Sequence, residues 1–162
     1  MSEITYKILG SIILLLSAIL FGLHKIKSER NKLREISAFL DMVNYVESNI
    51  EHYNKPLPDI FEEYSNEYFT SNKLLDNIRA FGINAAIADY SFSIASSVES
   101  AVKNFACKIG LGYTDDELNL CKYTYNLLKD SEAKLRLEMR NTEKMYLTIP
   151  VLLALSVILI LI

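Results

Sequence analysis

The chain has 162 residues, 51% of them hydrophobic and 23% charged, and once its two long apolar segments are set aside the rest suffices for one small domain. Its 17 basic and 20 acidic residues leave a formal net charge of -3, so it lacks the overall positive field that attracts nucleic-acid phosphates. Composition therefore argues against nucleic-acid binding.

Residues 8–23 (ILGSIILLLSAILFGL) carry no charge and approach the roughly 20 residues that a helix needs to cross a bilayer. They can span if Tyr6 and His24 sit at the two interfaces. Lys7 ahead of an apolar run also fits a cleaved signal peptide, but Phe21-Gly22-Leu23-His24 is a poor cleavage site, and an uncleaved anchor over residues 1–24 is the preferred reading.

Residues 25–144 read as helix almost throughout, with apolar residues at three- and four-residue spacings. In the first helix Leu33, Ile36, Leu40, Val43, Val46 and Ile50 form one stripe, and Lys32, Arg34, Glu35, Asp41 and Glu47 are expected mainly away from it. Such a pattern is that of a helix packed on a bundle. The helix should stop at Tyr53-Asn54-Lys55, because Pro56 disfavours helical geometry in the residue before it, and Pro58 can open the next one.

A second helix is expected over residues 59–69, with Thr70-Ser71-Asn72 supplying a turn and caps for a third that runs to Phe81 and ends at Gly82. Residues 84–109 are less regular, but Phe92, Ala95, Val98, Val102 and Phe105 keep a helical period. Gly110-Leu111-Gly112-Tyr113 breaks the chain, and Thr114 with Glu117 has capping-box spacing. The two glycines do not make a phosphate loop, since Asp115 follows where a dinucleotide fingerprint needs glycine and no Gly-Lys-Ser/Thr occurs. Asp115, Asp116 and Glu117 suit the positive end of a helix better than a calcium site.

The last helix of this region is the most regular: Leu118, Cys121, Tyr125, Leu128, Glu132, Leu135 and Met139 alternate steps of three and four, continuing to Thr142 and Tyr146. Glu132 interrupts the stripe, and exposure at the bundle's edge is expected, with a polar contact to a partner as the alternative. Residues 145–162 (MYLTIPVLLALSVILILI) are apolar with few polar side chains, which favours a second membrane span over a core helix. Pro150 within it should kink rather than break the helix.

Lys25, Lys27, Arg30, Lys32 and Arg34 follow the first apolar segment, and Lys134, Arg136, Arg140 and Lys144 precede the second, against Lys7 alone beyond them. That bias predicts a cytoplasmic domain at residues 25–144 with both termini outside. Cys107 and Cys121 form no CxxC motif and are expected as packed thiols, and His24 and His52 lack the company of a catalytic or metal set. No catalytic, cofactor or metal residues are predicted; the chain reads as non-enzymatic, with no small-molecule substrate.

Three stretches carry a resemblance. An early apolar span is followed by Ser28-Glu29-Arg30, and Leu33-Arg34 then opens a helix that bears Glu47 and Ile50 and ends at Pro56-Leu57-Pro58. Residues 105–110 are similar to a Phe-Gly-x-x-Leu-Gly pattern, and Glu143-Lys144-Met145-Tyr146 leads directly into the final span. Together they resemble the stage III sporulation protein AB family. The sequence departs from it at Leu147 and Pro150, where that family often has Arg and Gly, and residues 64–100 match only in length and helical character.

The resemblance implies an all-α fold, an antiparallel helical bundle similar to the platform proteins of type II secretion and type IV pilus machines, flanked by two transmembrane helices. It implies a place in the mother-cell membrane facing the forespore, as a scaffold coupling a secretion-type ATPase, stage III sporulation protein AA, to other membrane proteins of the sporulation channel. Homo-oligomerisation stays open. Glu47, Pro56, Leu57, Pro58, Lys144, Met145 and Tyr146 are the candidate partner-interface residues. A platform-like subunit outside sporulation, or a small membrane sensor, remains the alternative.

Overall fold

Apolar residues recur at helical spacing along most of the chain, and most of the described residues are helix. The structure, a computed structural model, describes residues 3–53 and 55–161, apart from the side chains of residues 3–5, 8, 160 and 161. Asn54, inside the expected turn before Pro56, lies outside the described residues. The helices are α1 (Glu3–Tyr53), α2 (Leu57–Glu63), α3 (Glu67–Ser71), α4 (Leu74–Phe81), α5 (Ile83–Ala88), α6 (Ser96–Lys108) and α7 (Thr114–Leu161). About 87% of the described residues are helical, and there is no strand among them. α7 continues through Pro150.

The chain divides into two compact units, residues 1–31 with 135–162, and residues 32–134. In the first, Gly22 of α1 is buried, and a Cβ there would lie 2.5 Å from the Tyr146 carbonyl oxygen of α7. Only a missing side chain lets the two backbones come so near. Arg30 pairs with Glu143, and the Lys25 ammonium lies 5.9 Å from the Tyr146 ring centroid while reaching Glu29 at 3.2 Å. As α1 advances from Gly22 to Arg30, its partners on α7 recede from Leu147 to Glu143, so the segments are antiparallel.

Most of the apolar surface of this unit points outward. Leu16, Leu20 and Phe21 on α1 and Leu152, Leu153 and Leu159 on α7 are exposed. In the most apolar stretches of the two long helices, 11% and 6% respectively is buried, the inverse of a soluble core helix. Ser11, Ser17, Thr148 and Ser156 each donate to the carbonyl four residues earlier at 2.8–2.9 Å. Their hydroxyls are thus satisfied within their own helices, without water.

The second unit is built on the middle of α1. Ile36, Phe39, Leu40, Val43, Val46 and Ile50 are buried, as the stripe predicts, with Ala38 and Met42 widening it. Cys121 and Leu128 of α7 are buried too. Ser37 donates to Glu132 at 2.5 Å, and further along α1 Glu47 faces Lys122, so these parts of α1 and α7 are again antiparallel. Glu132 is half-buried in a contact with α1 rather than exposed at an edge, because Ser37 supplies a donor opposite it.

The short helices depart from the sequence reading in two places. The helix expected over residues 59–69 is two helices, because Asn66 accepts from the Tyr68 and Phe69 amides at 3.0 and 3.3 Å and starts α3 afresh. Arg79 meanwhile donates to the Phe61, Glu62 and Tyr64 carbonyls at 3.1, 3.3 and 2.8 Å, satisfying the end of α2 from another helix. The period through Phe92 and Ala95 does not extend the next helix either: α6 starts at Ser96, and Phe92 instead stacks on Phe39 at 5.6 Å. Gly82 ends α4 as expected, at φ 83°, and α5 begins directly after it. α4 packs against α2, α3 and α5, and α5 against α6.

Replacing Gly22 by Ala would drive a Cβ into the Tyr146 backbone, whereas Gly10 has nothing within 4 Å of an added Cβ. Gly22→Ala is expected to weaken the pairing by about 1–3 kcal/mol, and Gly10→Ala, with the same gain in helix propensity, to leave it intact. Thermal unfolding of the full chain in detergent checks this through a lower midpoint for Gly22→Ala alone.

Candidate interaction site

Of the residues singled out as a candidate interface, Pro56, Leu57 and Pro58 come together around a cavity. Pro56 is extended at φ -67° and ψ 146°, caps α2 and sets its direction, while Pro58 occupies the first turn, where a missing amide costs nothing. The three residues line a cleft of about 640 Å³, together with Phe61 of α2, Ile78 of α4, Ile83 of α5 and Ile109 after α6. Gly110, at φ 84°, closes on it so tightly that a Cβ there would lie 2.6 Å from Leu57 Cδ1. The glycine read from sequence as a helix break thus also makes room for Leu57.

Glu47 does not line this cleft. It is half-buried on α1, and burial lifts its carboxyl above the ordinary range, against the pull of Lys122 and with the Glu51 charge adding to the rise. Burial, with the Glu47 and Glu117 charges, also pushes the Cys121 thiol up to about 12. Cys107, expected as a packed thiol, is exposed near the end of α6, and its sulfur lies 3.2 Å from Asn84 Oδ1. The helical period there leaves its side chain outside the buried Val102, Phe105 and Ala106 face.

Lys144, Met145 and Tyr146 belong to the unit of residues 1–31 and 135–162. Lys144 is exposed, Met145 keeps 51% of its surface, and Tyr146 is half-buried beneath Lys25.

Glu35 was expected on the outward side of α1 and is instead fully buried. Its two carboxylate oxygens accept from the Ser93 amide at 3.0 and 3.3 Å, which ties the non-helical segment before α6 to α1. Desolvation lifts its carboxyl above the ordinary value near 4.5, opposed by hydrogen bonds from Ser93, Tyr90 and Tyr68. The reason lies in the partner segment: Tyr90 and Ser93 supply donors that a stripe read from α1 alone does not reveal. The Tyr90 hydroxyl is itself raised by burial and by the Glu35 charge.

These features define an all-helical protein with two candidate membrane spans and a helical unit containing an apolar cleft. The family model for stage III sporulation protein AB matches residues 7–162, and the chain belongs to that family. No curated protein and no solved structure matches the chain.

The folded chain holds the Glu35 proton at higher pH than the unfolded chain does, so this group's contribution to stability is complete below about 4.5 and is lost as pH rises through the raised value. Wild type should therefore gain stability relative to Glu35→Gln as the pH is lowered from neutrality. Glu35→Ala, which leaves the Ser93 amide unpaired, should lose about 1–3 kcal/mol at either pH. Urea unfolding of the full chain in detergent at two pH values measures both; identical pH slopes for wild type and Glu35→Gln would contradict the assignment.

Proposed function

We propose that this chain is a non-enzymatic membrane platform of the sporulation channel between mother cell and forespore. In this reading it couples a cytoplasmic secretion-type ATPase, stage III sporulation protein AA, to other membrane proteins of the complex. The observation that carries it is the match to a sporulation family over nearly the whole chain. Two outward-facing apolar helices are consistent with spans through the mother-cell membrane.

The basic residues beside those helices favour a cytoplasmic helical unit with both termini outside. A helical unit fixed to spans from two directions suits the transmission of position or force from a soluble motor to the membrane. Platform subunits of pilus or secretion machines outside sporulation share this design, but the family match favours the sporulation machine.

The full chain, tagged in its native host, should be crosslinked in sporulating cells and purified under stringent detergent washing. Copurification of the ATPase and its companion membrane proteins is expected, and recovery of pilus components, or of no machine component at good expression, would overturn the proposal.

A further inference from the structure

The cleft at Pro56–Leu57–Pro58 has an apolar floor and cations that are already occupied. Phe61, Ile78, Ile83 and Ile109 are buried along it. Lys55 is held by both Glu63 oxygens at 2.7 and 2.9 Å, and Arg79 by three backbone carbonyls. Glu62 is exposed on its wall, and Glu117, half-buried, is shared with an adjoining cleft of about 410 Å³. That second cleft adds Leu111, 82% exposed, and the exposed Asp116, with Lys108 as its one basic residue.

We infer that the two adjoining clefts dock an amphipathic helix of another protein, with apolar side chains seated over Leu57 and Leu111 and Lys or Arg side chains meeting Glu62, Asp116 and Glu117. The size and the lining support this occupant. A cleft of this volume takes a few anchoring side chains, and a helix laid in a groove presents them at three- and four-residue spacing. Charge decides the flanks of that helix: Lys55 and Arg79 are engaged within the fold, which leaves Glu62, Asp116 and Glu117 against Lys108 alone, and a basic flank lowers their mutual repulsion. Gly110 keeps Leu57 in place as part of this floor. The inference deepens the platform reading, since it rests on there being a machine component to dock, and it assigns that component's contacting segment by chemistry.

The test places a photo-crosslinking benzoylphenylalanine at Leu111 of the full chain in sporulating cells, with Tyr123, exposed on α7, as the control position. Crosslinked peptides are sequenced, and copurification of the secretion-type ATPase is followed in parallel. Leu111, and not Tyr123, should crosslink to a segment of another protein with Lys or Arg flanking apolar residues at helical spacing. The yield should fall at least fivefold (roughly 1 kcal/mol) when exposed Glu62 and Asp116 are both replaced by Lys, in a variant that keeps wild-type helicity and expression.

A crosslink from Leu111 to a second copy of this chain, to an acidic segment, or to nothing while the ATPase still copurifies would overturn the docking inference and leave the platform reading standing. A charge-sensitive crosslink to a basic helix without any copurified ATPase would do the reverse.

Discussion

Phe39 is the residue around which the unit of residues 32–134 is organised. It has no exposed surface, and its ring meets Phe69 at 4.8 Å, Phe92 at 5.6 Å and Tyr90 at 5.9 Å. Those three rings come from α3 and from the non-helical segment before α6, elements too short to be stable in isolation. One turn earlier on α1, Glu35 fixes the same segment through the Ser93 amide. A ring cluster and a buried carboxylate on adjacent turns of one helix thus hold the irregular part of the chain, while Arg79 holds α2 by its final carbonyls.

The long elements were legible because their signal is periodic and repeated. Residues 33–50 give the buried stripe of α1 nearly position for position, and the alternation from Leu118 to Tyr146 lies on one continuous helix. Hidden from a linear reading were the decisions made by distant partners. Asn66 divides one expected helix into two, and Phe92 leaves a helical period to stack on Phe39. Glu35 looked like a solvated charge because its partners Tyr68, Tyr90 and Ser93 lie in distant segments of the chain. In the candidate interface, Pro56 and Pro58 announced a turn, but the cleft they border needs Ile78, Ile83 and Ile109 from three other parts of the chain. No local pattern joins these.

The unit of residues 1–31 and 135–162 depends on a different constraint. Most of its apolar side chains face outward, the hydroxyls of Ser11, Ser17, Thr148 and Ser156 are satisfied inside their own helices, and charges pair at one end, where Arg30 meets Glu143 and Lys25 meets Glu29. A segment of that kind fits a hydrocarbon surround, where each backbone and hydroxyl group must find its partner within the protein. The stage III sporulation protein AB family, to which the chain belongs, is the context in which this unit and the helical unit of residues 32–134 share one chain.

The most direct test of the account uses the two native thiols. Cys107 is exposed in the helical unit, whereas Cys121 is buried and its thiol is pushed up to about 12. If both apolar helices span the membrane with the helical unit in the cytoplasm, a membrane-impermeant maleimide should leave Cys107 unlabelled in intact cells. It should label Cys107 after permeabilisation and reach Cys121 only on denaturation. Labelling of Cys107 in intact cells would place the unit outside and contradict the account.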